Sequence, residues 1–430
     1  MSDTCERRTF VCAVVDDRGS IAILFALCLL VISGVAGLAI DFSYAYRARI
    51  DAQNAADAAA LAAAGVARDY LTKSKVTSGS IKSATTAAAE SASTYFAKNF
   101  TFASMPTKPD VKLAVTGRNV SVSVGYSFAV NNSFGALFGL DKFDVAGTSS
   151  SVASLPPYIE LHLLIDTSGS MALGASQAEQ DQLRAKFGCA FACHDGAPVD
   201  GYADAYAWAV GNGITLRLTA LNQGILALMD KIDSIGSSAS FIDIAVHSFD
   251  TRLTNVTPLT NDTAKVRSKL PTAPATSNET EGATRFDEII GPFVDEVGAG
   301  GDGSAADKPM KLVILATDGA HDLGRTWVSN LAERDEVRPF GMGFCEDLKD
   351  NNVKIGIIHT PYLEMMYDWG YAATLGQPSQ IGGPATRADD IPIVFKKCAG
   401  ARYVEASDTK AIVSAFSDLF TSLLAARLTQ

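Results

Sequence analysis

Three oxygen-bearing side chains stand at alternate positions in LHLLIDTSGSMAL, which runs from Leu161 to Leu173. A strand that only needed to end could use any turn residue, whereas Asp166, Ser168 and Ser170 can direct their oxygens toward one point. Carboxylate and hydroxyl oxygens are ligands for hard cations such as Mg²⁺, Mn²⁺ or Ca²⁺. The spacing therefore predicts a divalent-cation site. The alternative is a loop followed by an ordinary helix cap, in which Ser and Asp are common.

Two later segments carry residues of the same chemical type. Asp318 ends the apolar run KLVILATDG, and Thr284 lies in a glycine-containing loop within EGATRFDEII, just before a predicted helix. Taken singly, the TDG tripeptide is also a common turn. If both segments reach the end of the strand that carries Asp166, they add a second carboxylate and a third hydroxyl to the site.

The elements that must position these residues begin after Pro156. Apolar strand-like runs, among them YIELHLLID, SFIDIAVHSF, KLVILATDG and VKIGIIHT, alternate with segments of helical periodicity. The clearest helical segments are Gly213–Ile232 and the closing AIVSAFSDLFTSLLAA. This alternation predicts an α/β fold with a mostly parallel sheet covered on both faces. Ligands of such sheets bind outside the carboxyl ends of the strands.

The order DTSGS, then G-x-T, then TDG resembles the von Willebrand factor A domain with a metal-ion-dependent adhesion site. The resemblance covers residues 155–430 and implies a Rossmann-like fold. It also implies one Mg²⁺, or Mn²⁺ or Ca²⁺, with an open position for a partner's carboxylate. Its implied ligands are Asp166, Ser168, Ser170, Thr284 and Asp318. The sequence departs from the family by an insertion at residues 171–212, before the first long helix.

Four cysteines follow the predicted anchor described below. Cys189 and Cys193 lie in CAFACHDG, within the insertion. A local disulfide fits an exported domain, whereas a lengthened c-type haem motif ending at His194, a zinc site or free thiols are the alternatives. Cys345 and Cys398 are candidates for a second bridge, although spacing alone does not establish the pairing.

The histidines suggest no catalytic site. His162 and His247 occur within strand-like runs and are expected in the core, while His321 and Asp322 either border the cation or shape the loop after Asp318. No Ser/His/Asp or Cys/His arrangement is recognisable in the sequence. We therefore expect a binding protein rather than an enzyme.

Composition and charge narrow the range of partners. The 430 residues include 47% hydrophobic and 19% charged residues, and the formal net charge is -11. This composition supports two or three folded domains. Because nucleic-acid binding needs a clustered basic face and the sequence has none, a nucleic-acid partner is not expected.

An uncharged apolar segment of 22 residues, Gly19–Ile40, lies near the N-terminus. About 20 apolar residues cross a bilayer, so we predict a transmembrane helix at residues 19–41 after a cytoplasmic tail at residues 1–18. A cleaved signal peptide is the alternative. Arg7, Arg8 and Arg18 precede the span, whereas Arg47 and Arg49 follow it. The expected topology is single-pass in a bacterial inner membrane, with the C-terminal domain in the periplasm.

Alanine dominates the residues after this span. No Pro or Gly interrupts the run from Asp41 until Gly65, so the helix is expected to continue as a stalk within residues 42–100. A second alanine-rich helix is predicted near Ser80–Asn99, although a low-complexity spacer is the alternative. Residues 101–154 then alternate apolar and polar positions around a glycine-containing turn, which predicts a small β-rich module. Because a few short strands need packing against a helix, we expect this module to form a small α+β unit with the alanine-rich helices.

The span and the QNAADAAALAAA run at Gln53–Ala64 resemble the N-terminal region of TadE/TadG-type proteins of the Tad (Flp) pilus assembly system. Relatives that behave as pseudopilins carry Glu five residues after the cleavage glycine, where this chain has Leu24. The departure favours the TadG-like branch, which implies a permanent anchor.

Together the two resemblances imply a membrane-anchored, metal-dependent binding component of pilus assembly. Its expected partners are pilus assembly proteins, or another protein that offers a carboxylate. A surface adhesin or matrix-binding protein unrelated to pilus assembly is the alternative. A metal-dependent hydrolase is a third class, for which the sequence offers no recognisable base.

Overall fold

The computed structural model describes residues 18–74, 76–102, 108–190, 197–275, 283–323, 336–383 and 385–425. The chain divides into two compact units, Met1–Leu155 and Pro156–Gln430. This division falls one residue after the boundary expected from the sequence.

Unit one is built on the long helix α1, Arg18–Lys73. From Ile21 to Ile40 its side chains are mostly exposed, and this part is long and apolar enough to cross a membrane. Beyond Asp41 the character of the helix changes, because a stripe of alanines becomes buried against α2, Ser78–Asn99. The predicted apolar helix and the second alanine-rich helix are both present.

The alanine stripe allows these two helices to pack closely. Ala52, Ala56, Ala59 and Ala63 of α1 are fully buried, because a methyl side chain lets neighbouring backbones approach. On α2 the buried positions recur every four residues and end at Phe96. The run is therefore a packed helix pair and not a spacer.

A three-stranded antiparallel sheet completes unit one. Its strands, β1 at Asp110–Thr116, β2 at Asn119–Asn131 and β3 at Lys142–Ser154, lie in the order β1-β2-β3. Alternate residues of β2, including Val120 and Val122, are fully buried in the core that contains the alanine stripe. The predicted stalk and β-rich module thus share one core.

Unit two contains a six-stranded sheet of β4 (Ile159–Asp166), β5 (Ile242–Phe249), β6 (Leu253–Thr260), β7 (Met310–Thr317), β10 (Lys354–His359) and β11 (Tyr403–Glu405). The strands lie in the order β11-β10-β7-β4-β5-β6. All neighbouring strands are parallel except β5 and β6, which pair antiparallel. The predicted α/β class with a mostly parallel sheet is confirmed.

Helices cover both faces of this sheet. The sheet therefore has a hydrophobic core on each face. Leu161, Leu163 and Ile165 of β4 are buried in one core, and Leu164 is buried in the other. The first core includes α5 (Arg217–Ser234) and α11 (Thr409–Ala425), and the second includes α7 (Phe286–Val297), α8 (Gly343–Asp350) and α10 (Arg387–Ala399).

The remaining elements of unit two are short. The predicted insertion holds α3 (Gln177–Phe187) and α4 (Ala205–Gly211), which share a small core with Ile214 and Leu216. Further short elements among the described residues include α6 (Thr263–Lys269), α9 (Trp369–Ala373), and the pair β8 (Ala320–His321) and β9 (Arg338–Pro339).

Candidate functional site

The two predicted carboxylates meet because β4 and β7 are adjacent parallel strands. Asp166 is the last residue of β4, and Asp318 directly follows the last residue of β7, Thr317. Both aspartates are fully buried. Parallel pairing brings the carboxyl ends of two strands to one edge, so residues 152 positions apart in the chain become neighbours.

Asp166 and the two serines form a hydrogen-bonded cluster. Oδ1 of Asp166 accepts from the backbone N–H of Ser168 at 2.9 Å and from its Oγ at 2.6 Å. The Oγ atoms of Ser168 and Ser170 lie 3.2 Å apart. A 3-10 turn at Gly169–Ala172 turns the chain so that Ser170 faces the same point. The convergence expected from the alternate spacing is therefore present.

Asp318 is bound by two side chains that the sequence reading did not single out. Its Oδ2 accepts from Nη1 of Arg217 at 3.1 Å and from the hydroxyl of Tyr362 at 2.7 Å. Arg217, the first residue of α5, is 2% exposed. Its Nη2 donates to the carbonyl of Pro361 at 2.6 Å, and its guanidinium lies 4.6 Å from the centre of the Tyr362 ring. The chain thus supplies a buried cation of its own.

Burial and like charge dominate the electrostatics of this edge. Burial, followed by the neighbouring Asp318 charge, raises the pKa of Asp166 from 3.8 to about 7, against the opposing effect of hydrogen bonds from Ser168 and Thr317. The Thr317 hydroxyl donates to Oδ2 of Asp166 at 2.6 Å. Burial and Asp318 also raise the pKa of Tyr362, whose hydroxyl contacts Ser170 as well. The cluster of oxygens therefore favours an added positive charge.

Backbone hydrogen bonds hold Thr284 and the next residue close to this edge of the sheet. Thr284 is buried, and it exchanges two 3.0 Å backbone hydrogen bonds with Asp322. The next residue, Arg285, donates its N–H to the carbonyl of Asp250 at 3.0 Å, just beyond the end of β5. The structure thus brings Asp166, Ser168, Ser170 and Asp318 together through side chains, with Thr284 held nearby by its main chain.

The donor set suits a hard cation. Mg²⁺ prefers oxygen ligands and is commonly held by one or two carboxylates together with water. Among the described residues, no group of three or more His, Cys, Asp or Glu side chains is arranged to hold a metal ion. Any cation at this edge would therefore depend on the hydroxyls of Ser168 and Ser170 beside Asp166. Asp318 already shares its Oδ2 with Arg217, so only Oδ1 is free of that ion pair.

Two signals in the sequence could have identified the missed residues. Arg217 is a lone charge in the apolar run ITLRLTAL, where burial demands a partner. Tyr362 follows β10 by three residues, so the rule that ligands gather at carboxyl ends applies to it as well. Neither signal predicts that Asp318 accepts hydrogen bonds from both residues.

The histidines behave as expected for structural residues. His162 and His247 stack within unit two, with ring centres 5.8 Å apart. His321 accepts from the N–H of Asp287 at 3.4 Å and so shapes the loop after Asp318. His359 lies 2.9 Å from the Tyr403 hydroxyl through Nδ1, and burial lowers its pKa to about 3, which keeps the ring neutral.

Among the described residues, three cysteines are disulfide-bonded and one is free. Cys345 of α8 and Cys398 of α10 form a disulfide bond, with Cα atoms 5.7 Å apart. Cys189 is also disulfide-bonded. Its expected partner Cys193, like His194, lies outside the described residues, so that pairing stays a prediction. Cys28 is free and exposed on α1.

Comparison with known proteins identifies the N-terminal segment. Residues 19–67 match the family described as Putative Flp pilus-assembly TadE/G-like. The predicted Tad resemblance is confirmed for this segment, which makes up most of α1. No curated protein matches the chain.

Several solved structures are similar to the chain. The vWF domain of the type V pili tip protein Mfa5 from Porphyromonas gingivalis is 12% identical, with a TM-score of 0.35, over 64% of this chain and 97% of that one. The PilB minor pilin from Streptococcus sanguinis is 12% identical, with a TM-score of 0.32, over 74% and 78%. The conserved hypothetical protein BatB from Bacteroides thetaiotaomicron is 14% identical, with a TM-score of 0.32, over 61% and 99%.

Proposed function

We propose that this protein is a membrane-anchored binding component of a Flp-type pilus assembly apparatus. Its α/β unit, which we interpret as a von Willebrand factor A domain, binds a partner's carboxylate through a divalent cation. The observation that carries this proposal is the convergence of Asp166, Ser168 and Ser170 beside Asp318 at the carboxyl edge of the sheet. The match of residues 19–67 supports the link to pilus assembly.

The proposed cation, Mg²⁺ or alternatively Mn²⁺ or Ca²⁺, would be held by Asp166, Ser168 and Ser170, with Thr284 and Asp318 completing the set. It would supply an open coordination position for an acidic group of the partner. Thr317 holds Asp166 from the side away from Ser168, and Tyr362 with Arg217 holds Asp318. These contacts fix the oxygens before any partner binds. The proposed role is binding and not catalysis.

The anchor is α1, and the proposed location is a bacterial inner membrane with unit two in the periplasm. Arg7, Arg8 and Arg18 support a cytoplasmic N-terminus. A reporter active only in the periplasm tests this topology: it should work when fused after Gln430 and fail when fused after Arg18. The opposite pattern would contradict the proposed orientation.

Co-purification from native membranes tests the binding function. Wild-type protein should retain pilus assembly partners in Mg²⁺ and lose them in chelator, whereas Asp166→Ala should lose them in both conditions. Asp307→Ala is the matched control, because this aspartate is exposed and lies outside the site. If Asp166→Ala lost metal but assembled pili normally, the site would be real and its role in assembly wrong. Loss of cell attachment in that variant would favour the adhesin alternative.

A further inference from the structure

The loop between β2 and β3 presents a cluster of exposed apolar side chains. Of its ten residues, the eight from Ser133 to Leu140 carry no charge, and the charged residue Asp141 follows them directly before β3. The exposed fractions are 79% for Leu137, 56% for Phe138 and 49% for Leu140. Such a concentration of large apolar groups at the tip of one loop calls for a covering surface. We call residues 133–140 the apolar loop.

The apolar loop packs on the part of α1 that is long and apolar enough to cross a membrane. A Cβ added at Gly37 would lie 2.6 Å from Cγ of Phe134, and one at Gly34 would lie 2.9 Å from Cζ of Phe138. Glycine at these two positions therefore lets the phenylalanine rings rest directly on the helix backbone. The contacts fix the position of the loop along the helix.

That position places the loop within the apolar span. Helical rise is 1.5 Å per residue, so Gly37 and Gly34 lie about 6 and 10 Å below Asp41, the first charged residue after the span. The residues next to Asp41 are aromatic and exposed: Phe42 at 63%, Tyr44 at 48% and Tyr46 at 55%. Exposed aromatic residues at the end of a span are typical of the membrane–water interface. The apolar loop lies on the lipid side of this aromatic group.

The backbone of the loop is prepared for an apolar environment. Asp41 accepts three N–H groups: Oδ1 takes that of Ser133 at 3.0 Å, and Oδ2 takes those of Phe134 at 2.8 Å and Gly135 at 2.7 Å. Leu140 donates to the carbonyl of Gly135 at 3.0 Å. Non-helical backbone at membrane depth is tolerated only where its polar groups are satisfied within the protein. Asp41, at the end of the apolar span of α1, supplies hydrogen-bond acceptors for three of these N–H groups.

We propose that the apolar loop inserts into the outer leaflet beside α1, as a second membrane contact of unit one. The occupant of the exposed apolar surface is the lipid bilayer, because the loop continues the lipid-facing surface of the helix on which it packs. This inference rests on the proposed membrane anchoring of α1. It gives unit one two attachments and so limits its rotation and tilt relative to the membrane.

Depth-dependent quenching tests the insertion in the full-length chain. In a background with Cys5, Cys12 and Cys28 replaced by Ser, a single cysteine is introduced at Leu137 and labelled with an environment-sensitive fluorophore. The protein is placed in nanodiscs of phosphatidylethanolamine and phosphatidylglycerol that contain lipids with a quencher on the acyl chain. Two reference labels are used: Val31→Cys in the apolar span, and Val152→Cys, exposed at the far end of β3.

We expect the label at Leu137 to be quenched, as is the label at Val31, and the label at Val152 to be unaffected. Quenching at Val31 without quenching at Leu137 would overturn the inserted loop while leaving the anchor intact. Failure to quench at Val31 would overturn the anchor and the loop together.

A helix substitution provides a second test that leaves the span apolar. Gly37→Val should displace Phe134 and reduce quenching at Leu137, with quenching at Val31 unchanged. Ala36→Val is the matched control, because Ala36 is exposed on α1 next to the buried Gly37. Equal quenching at Leu137 in the two variants would contradict the proposed docking of the loop on the helix.

Discussion

Arg217 and Asp318 form a buried ion pair, with Nη1 of the guanidinium 3.1 Å from Oδ2 of the carboxylate. One of the two carboxylates at the candidate cation site is therefore already paired with a positive charge of the chain. The pair ties the first residue of α5 to the end of β7, 101 positions away. The pair stabilises the Asp318 carboxylate without a bound metal ion. Asp166 is therefore the carboxylate that a bound metal ion would stabilise more.

Replacing Arg217 should destabilise unit two. Arg217→Met leaves the Asp318 charge buried and unpaired, and removal of one partner of a buried pair costs about 3–5 kcal/mol. Because all three tryptophans of the chain lie in unit two, intrinsic fluorescence during urea unfolding reports on this unit. Mg²⁺ should raise the stability of the variant more than that of wild type.

Arg267→Met is the control for that measurement. Arg267 pairs with Asp230 and Asp233 at a more exposed position, so its loss should cost about 1 kcal/mol or less. Equal destabilisation by the two substitutions would contradict the importance of the buried pair.

Removing Asp166 should abolish most cation binding. Loss of an outer-sphere partner alone typically weakens metal affinity about 10- to 100-fold, so Asp166→Ala should weaken Mg²⁺ binding by about 100-fold or more. Ser170→Ala removes a neutral ligand and should have a smaller effect. Calorimetric titration with Mg²⁺ and Mn²⁺ measures both. A folded Asp166→Ala variant that bound metal like wild type would show that the site is wrongly assigned.

Acid should weaken the fold through His247. Burial is the main cause that lowers the pKa of His247 from 6.5 to about 4, with its ring against His162 and Phe293. Because the pKa of this histidine is lower in the folded chain than in the unfolded chain, the unfolded chain binds a proton at pH values where the folded chain does not. The resulting stability is present above pH 6.5 and is lost as the pH falls toward 4, by up to about 3 kcal/mol.

His247→Phe tests this dependence, since an aromatic ring is retained beside Phe293. Urea unfolding at intervals between pH 7 and pH 4 should give a shallower loss of stability than in wild type. Asp166, with a raised pKa, contributes in the opposite direction in both proteins, so the difference between them reports on His247. Parallel curves for the two proteins would be inconsistent with a neutral buried ring.

The disulfide between Cys345 and Cys398 should stabilise unit two by constraining its unfolded state. The bridge closes a loop with a sequence separation of 53 residues, for which chain entropy predicts about 4 kcal/mol. The double replacement of both cysteines by serine should lower the urea midpoint accordingly. An unchanged urea midpoint would argue against this stabilisation.

Peptide mapping of wild-type protein without reductant should also find Cys189 protected from alkylation.

Local patterns in the sequence were sufficient for the elements and for part of the site. The apolar span before Asp41, the alanine run and the alternation of strands with helices are periodic signals, because one face of each element must be buried. The proximity of Asp166, Ser168 and Ser170 could also be predicted from the sequence, because their separation of two residues ties their relative positions to one short segment.

Tertiary structure decided everything that depends on which distant segments become neighbours. The strand order placed β7 beside β4 and so brought Asp318 to Asp166. It also directed Arg217 and Tyr362 onto the second carboxylate. In unit one, the docking of the apolar loop on Gly34 and Gly37 follows from the pairing of β2 and β3 over the helix. These contacts join residues that are 44 or more positions apart. The packing of whole surfaces selects them, and no short stretch of sequence encodes them.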